Sequence, residues 1–453
     1  MVILARLLTP AEFGLAALAS TFVAILLGLA GMGFGPYIIR AREASDVLLS
    51  TAFWLVLGFA LLLAGLLEAF ADLLAFWLGQ PDIAPLLRVL ALTLPITSLS
   101  TVPSALLTRD LLMRKLALAQ VFGSLIGIVA ALTLAFLDLG VWALIGQSVA
   151  NSAVVSLLLW RATSWRPKFA ASAADISTLL RAGLPTLGTQ LVQQLRDRGD
   201  ELIIGAALGA TPLGYWVIAT RITRIVAELL TSVVSSVALP VLSRMSDDRQ
   251  RFARASKYAI SNLEFIVLPA LTALAIVSPV LIPTVFGAQW VASGEIAQIT
   301  TLATAVMSLG WLDDGIWWAL GRFSVAFILT SVFAAFHLAV VAFSSQFGLV
   351  VLALAVLGRA IITAPIRAIC LIGIGKLPIA TYGTVPFTGL ATATMAAAML
   401  GVSTLASDAS AWLYLSLQAA IAIISYVLMS LIVQRQILTG LVIEVHSLMR
   451  RKP

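Results

Sequence analysis

Long apolar runs, each about the length of a membrane-crossing helix, follow one another along this chain with only short polar gaps between them. A helix needs about 20 apolar residues to cross a bilayer. Runs that meet this fall near 15–38, 47–69, 83–107, 116–137, 140–160, 177–206, 213–241, 257–283, 291–320, 323–343, 347–374, 381–401 and 411–434. The pattern predicts an all-α polytopic membrane protein with about thirteen transmembrane helices. Helix punctuation agrees: Thr9-Pro10 and Thr211-Pro212 precede spans, and Gly140 and Gly348 follow short turns. No gap is long enough for a folded soluble domain; the longest, 161–175 and 242–256, are basic.

The gaps alternate in charge. Those after Arg40, Arg109, Arg161, Arg244, Arg322 and Lys376, with the first turns of the runs they lead into and the C-terminal tail, hold all but eight of the 28 Lys and Arg. Those around Asp72–Pro81, Asp138, Gly205–Pro212, Phe286–Gln289, Ser344–Gln346 and Ser403–Ser410 hold none. Short cytoplasmic loops retain positive charge, so the basic gaps and the C-terminus are expected in the cytoplasm, beneath a bacterial inner membrane. Thirteen spans then put residue 1 outside. The opening Met1-Val2-Ile3-Leu4-Ala5 before Arg6 reads as the last turn of a helix whose body is absent, through a misplaced start codon or a truncation, from a parent plan of fourteen.

Composition narrows the chemistry. With 61% hydrophobic and 11% charged residues, the chain is not a soluble domain, and its pI of 9.9 reflects loop topology rather than nucleic-acid binding. Cys370 is the single cysteine and lies in an apolar run, which excludes a disulfide framework and a thiolate metal site. Two histidines, His337 and His446, leave little for metal or histidine chemistry. No cofactor is expected beyond a coupling ion, a proton or sodium. No cleavable signal opens the chain, and Gly373–Lys376 lacks both the spacing and the hydroxyl residue of a nucleotide phosphate loop.

A weak internal repeat runs through the sequence. Thr9-Pro10 with Phe13-Gly14-Leu15 and Ala19 echoes Thr211-Pro212 with Leu213-Gly214-Tyr215 and Ala219. Trp77–Gln80 echoes Val285–Gln289, Leu90–Leu92 echoes Leu302–Thr304, and Leu106–Arg109 echoes Ala319–Arg322. Repeated halves with a substrate site near mid-membrane are a common transporter plan. The order of matches predicts two parallel six-helix lobes around a central cavity, followed by two extra helices. The boundaries are an N-terminal lobe at 1–168, a C-terminal lobe at 169–376, additional helices at 377–435 and a tail at 436–453.

Several of these landmarks resemble one family. Leu4–Gly14, reading LARLLTPAEFG, is similar to the first elbow of the polysaccharide transporter family within the multidrug/oligosaccharidyl-lipid/polysaccharide exporter superfamily. Ile203-Ile204-Gly205, Leu208-Gly209 and Leu213-Gly214-Tyr215 resemble its second-half counterpart, and Gly140–Leu144, Leu239–Ser243 and Phe286–Trp290 also fit. The resemblance implies a Wzx-like flippase. Such a protein turns undecaprenyl-pyrophosphate-linked oligosaccharides from the cytoplasmic to the periplasmic leaflet by alternating access, for O-antigen, capsule or exopolysaccharide assembly. Its partners would be that lipid-linked glycan, membrane lipids and the polysaccharide polymerase and chain-length machinery.

Charges that break the apolar pattern are the candidate site. The eight cations outside the basic gaps are Arg6, Arg88, Arg196, Arg198, Arg221, Arg224, Arg359 and Arg367, all arginine. A charge at bilayer depth is costly unless it meets water or a partner, and the planar guanidinium suits phosphate oxygens. Arg221, Arg224 and Glu228 share one helix face, roughly 12–22 Å along their helix at about 1.5 Å per residue. The preceding run carries Gln190, Gln193, Gln194, Arg196, Asp197, Arg198, Asp200 and Glu201, too polar for lipid. Arg359, Arg224, Arg221, Arg196, Arg198 and Arg367 are therefore candidates to line a lumen and hold a pyrophosphate. The plainer role for several is an internal ion pair, while Arg6 and Arg88 suit interfacial snorkelling. Glu228, Asp200, Glu264, Asp313 and Asp314 are candidates for ion coupling or gating, with helix capping the plainer role for the last two.

Two other functions compete. A multidrug exporter or lipid II flippase shares the architecture, but a drug-cation exporter should keep uncompensated acids at depth, where this chain has more arginine. A membrane glycan polymerase or ligase should need a sizeable outer loop or an outer acid–histidine cluster, and the outer gaps here are short and nearly uncharged.

Overall fold

The computed structural model describes residues 2–41, 45–244, 248–405 and 410–434; the expected cytoplasmic tail, with His446, lies outside these. Among the described residues every regular element is a helix, and helix occupies each of the thirteen expected runs. Ten helical segments are long and apolar enough to cross a membrane, and the chain is a multi-pass membrane protein. The other three runs are two that carry several charges, near 177–206 and 213–241, and one broken in the middle, near 291–320.

In the first half, α1 (Val2–Leu7) leads into α2 (Pro10–Ala30). The start of α2 is set by a capping box. The Thr9 N–H donates to the Glu12 carboxylate at 2.7 Å, the Glu12 N–H donates to the Thr9 hydroxyl, and Pro10 occupies the first turn, where no N–H is required. α2 ends at Gly31, and Gly33 (φ 66°) turns the chain into α3 (Phe34–Arg40). α4 (Asp46–Trp77) follows. The next crossing is broken into α5 (Ile83–Ala91), α6 (Thr93–Ser98) and α7 (Thr101–Arg109), with Pro95 and Pro103 in the first turns of α6 and α7. α8 (Met113–Phe136) and α9 (Trp142–Ala162) form a hairpin, and α10 (Ala173–Leu208) starts at the Ser172 cap.

The hairpin shows why small residues matter here. The buried face of α8 is Ala119, Gly123, Gly127, Ala131 and Ala135, a four-residue repeat. The backbone and side chains of Gln147 and Asn151 on α9 pack directly over Gly123 and Gly127. Close approach of this kind is the main attraction between helices in lipid.

The second half comprises α11 (Ala210–Arg244), α12 (Arg249–Phe286), α13 (Val291–Met307), α14 (Asp313–Ala319), α15 (Phe323–Ser344), α16 (Leu349–Gly373), α17 (Val385–Leu405) and α18 (Ala411–Val433). The α13–α14 crossing is interrupted at Ser308–Gly310, which the repeat aligns with α6, the middle piece of the broken crossing in the first half. α12 has 38 residues, about 57 Å of helix, so its first turn extends beyond a hydrocarbon core of about 30 Å. That turn is capped by Asp248, whose carboxylate accepts from the Gln250 and Arg251 N–H groups at 3.0 and 3.1 Å. The Arg251 N–H, chiefly, holds the exposed Asp248 carboxyl below its ordinary value of 3.8.

Contacts divide the chain into two compact units, Met1–Val217 and Ile218–Pro453. α10 packs in the first, on α2 and α3, although the sequence repeat groups its residues with the second lobe. The two divisions describe different things, packing in one case and internal similarity in the other. The first unit buries Phe34, Ile38, Phe53 and Val102, with Trp160 and Trp165 edge-on to Phe53. The second buries Phe252, Leu263, Val267, Ile316 and Trp317. On the other side of α12, α17 and α18 enclose Phe265, Met395, Met399 and Tyr426.

Candidate functional site

Within the second unit, the interruption between α13 and α14 gathers polar groups. Breaking the helix frees Ser308, Gly310 and Asp313 to face α12 and α16. Arg367 on α16 donates from Nε to Asp313 at 2.7 Å and from Nη2 to the Gly310 carbonyl at 3.0 Å, while its guanidinium lies 5.4 Å from the Phe333 ring centroid. Asp314 accepts from Thr330 at 3.1 Å. Both aspartates occupy the first turn of α14, where the helix dipole favours negative charge. Glu264 is 1% exposed; its Oε2 accepts from Ser308 at 3.1 Å, and its Oε1 has no hydrogen-bond partner among the described residues. A carboxylate buried in that way is expensive unless a proton or cation completes it.

Arg359, two turns from Arg367 on α16, is only 6% exposed, and its Nη2 lies 2.8 Å from the Met307 sulfur. Arg221, Arg224 and Glu228 are all exposed on α11. The opposite face of that helix is fixed by the buried Thr223 hydroxyl, 2.5 Å from the Thr301 hydroxyl of α13. The arginine face of α11 therefore points away from the core of its unit.

Within the first unit, Arg198 pairs with Glu201 at 3.3 Å, and the buried Glu201 also accepts from Thr21 of α2 at 2.5 Å. Arg196 pairs with its neighbour Asp197 at 3.1 Å. Asp200 is half-buried on the same helix. Next to these, one face of α10, the end of α2 and the start of α3 line an open cavity of about 400 Å³. Arg88 is more than an interfacial anchor: it pairs with Asp72 at 2.6 Å and Glu68 at 3.5 Å on α4.

The structure thus joins Asp313 to Arg367, Arg198 to Glu201, and Arg196 to Asp197, and it aligns Arg221, Arg224 and Glu228. It keeps Arg359 and Glu264 on separate contacts within the second unit. Sequence reasoning missed Thr21 and Ser308, ordinary hydroxyl residues in apolar runs that carry no local signal. Of the tryptophans, Trp317 is buried and Trp311 packs on the core, while Trp318 stays exposed as an interfacial residue would.

The profile of a family described as "Polysaccharide biosynthesis protein" matches residues 3–295. The succinoglycan biosynthesis transport protein ExoT of Rhizobium meliloti (strain 1021) is 28% identical over 71% of this chain and 67% of its own length. The lipopolysaccharide biosynthesis protein WzxC of Escherichia coli (strain K12) is 26% identical over 72% and 67%. Among solved structures, the lipid II flippase MurJ in an inward closed conformation matches with a TM-score of 0.76 at 18% identity, covering 96% of both chains. An inward-facing multidrug resistance transporter of the MATE family gives 0.67 at 18% identity, covering 81% of this chain and 90% of its own. These two likenesses establish the fold.

Proposed function

We propose that this chain, which belongs to the polysaccharide biosynthesis protein family, is a flippase for undecaprenyl-pyrophosphate-linked oligosaccharides. It turns them from the cytoplasmic to the periplasmic leaflet of the inner membrane by alternating access, as a secondary transporter rather than an enzyme, and hands them to a polymerase. The relatives named for succinoglycan and lipopolysaccharide biosynthesis support the glycan class.

One observation carries the headgroup assignment: Arg221 and Arg224 stand exposed on the face of α11 that turns away from its packed core. Two guanidinium groups one turn apart match the paired oxygens of a pyrophosphate and cannot face lipid cheaply. Arg196, Arg198 and Arg367, each in an ion pair with a carboxylate, are further candidate contacts. Arg359 is secondary because it is buried against Met307. Glu264, with one carboxylate oxygen lacking a hydrogen-bond partner among the described residues, is the proposed coupling group for a proton or sodium ion.

The test is the double substitution Arg221→Ala with Arg224→Ala in cells that depend on the exported polysaccharide. Charge-assisted hydrogen bonds contribute about 1.5–3 kcal/mol each, so export should fall at least about tenfold at unchanged membrane levels. Full export at those levels removes the assignment.

A further inference from the structure

The cavity of the first unit has a chemistry different from that of the arginine face. Gln190, Gln193, Gln194 and Asp197 lie at i, i+3, i+4 and i+7 of α10, one continuous stripe, and all four line it. The facing wall is the end of α2, where Gly28 and Gly31 present backbone and no side chain. That wall is close: a Cβ added at Gly28 would lie 3.3 Å from Gln194 Cγ. Its position is fixed two turns along the same face of α10, where a Cβ on Gly183 would overlap the Met32 carbonyl oxygen, so the two segments meet backbone to backbone. At about 400 Å³ the cavity falls within the roughly 300–1,000 Å³ typical of small-molecule sites.

Among the described lining residues there is no Lys or Arg. The only charge is Asp197, already 3.1 Å from Arg196. A pyrophosphate gains nothing here. Sugar hydroxyls do, since each both donates and accepts, and a primary amide offers two donors and two acceptor sites while a carboxylate accepts from two hydroxyls. A stripe of three amides in a helix of a membrane protein also needs water or hydroxyl partners, because hydrocarbon supplies none.

We infer that this cavity is a sugar subsite, in which Gln190, Gln193, Gln194 and Asp197 bind the hydroxyls of an uncharged hexose or N-acetylated amino sugar of the lipid-linked glycan. The inference deepens the proposed function and rests on it. Asp197 sets the specificity, because it repels a uronic acid or other acidic sugar at that position.

The test measures binding of short-chain polyprenol, polyprenyl pyrophosphate, polyprenyl-pyrophosphoryl glucose and polyprenyl-pyrophosphoryl glucuronic acid to the full chain in lipid nanodiscs. The double variant Gln190→Leu with Gln194→Leu should bind the glucosyl lipid at least tenfold more weakly while binding polyprenyl pyrophosphate as the parent does. Equal losses on both lipids, or no loss on the glucosyl lipid, overturn the inference. If the double variant does not fold, the single variants Gln190→Met and Gln194→Met are read by the same comparison. The parent should prefer glucosyl to glucuronyl lipid several-fold, and Asp197→Asn should narrow that gap; equal affinities in the parent overturn the specificity role. The pyrophosphate assignment fails separately, if the parent binds polyprenol and polyprenyl pyrophosphate alike.

Discussion

Pro269 lies inside α12 and has no N–H to give to the carbonyl four residues earlier, that of Phe265. In hydrocarbon such a carbonyl must find another donor. It finds the Tyr426 hydroxyl of α18 at 2.7 Å, so the proline that weakens α12 also creates the acceptor that docks α18 onto it. Tyr426→Phe keeps the ring and removes the donor. It should lower the stability of the purified protein by about 0.6–2 kcal/mol, the range for interhelical hydrogen bonds in membranes and for buried carbonyls left unsatisfied. A thermal unfolding midpoint in detergent equal to that of the parent chain would remove this role. Neither partner announces it in the sequence, since the two residues are 161 positions apart.

At the scale of elements, α2 and α11 meet through glycine. A Cβ on Gly14 of α2 would overlap the Ala210 carbonyl, and a Cβ on Gly214 of α11 would overlap the Pro10 carbonyl. Pro10 is the first residue of α2 and Ala210 the first of α11, so each helix start meets a glycine of the other helix at backbone distance. Gly14→Ala and Gly214→Ala should each destabilise the folded protein by about 1–3 kcal/mol, as overpacking of tight cores does, and lower its yield in membranes. Alanine variants with parental yield and unfolding temperature would show that the helices can separate freely there. The start of α12 gives a prediction with a pH sign. Because Asp248 is held below its ordinary 3.8, its capping contribution is present above that value and lost as the pH falls through the lower folded one. Amide exchange protection at Gln250 and Arg251 should therefore drop in acid, and in Asp248→Ala it should be low at every pH. What the sequence could show at this scale was length and apolarity, which is why the thirteen runs were legible. The breaks were not. Pro95 and Pro103 look like helix breakers anywhere in a run, and only the folded chain shows that they start α6 and α7. Nor were the polar pairings, because Thr21 and Glu201 are 180 residues apart and meet only when α10 lies against α2.

For the whole molecule, the orientation in the membrane rests on a sum of small terms, since each Lys or Arg in a short loop resists transfer across the bilayer. Each gap between the expected runs belongs to the basic set or to the uncharged set, so the expected orientation can be tested gap by gap. With Cys370→Ala as a background free of thiols, single cysteines can be placed at exposed sites without removing any charge from the basic gaps. Asp138→Cys and Gln346→Cys sit in uncharged turns and should react with a membrane-impermeant maleimide added to intact cells. Met113→Cys and Gln250→Cys sit beside basic gaps and should react only after the inner membrane is opened. The arginine face of α11 depends on charge that must be inside the bilayer, and the labelling defines where the bilayer begins. If Met113→Cys and Asp138→Cys react from the same side, α8 does not cross the membrane, and the depth assigned to every arginine after it must be recounted.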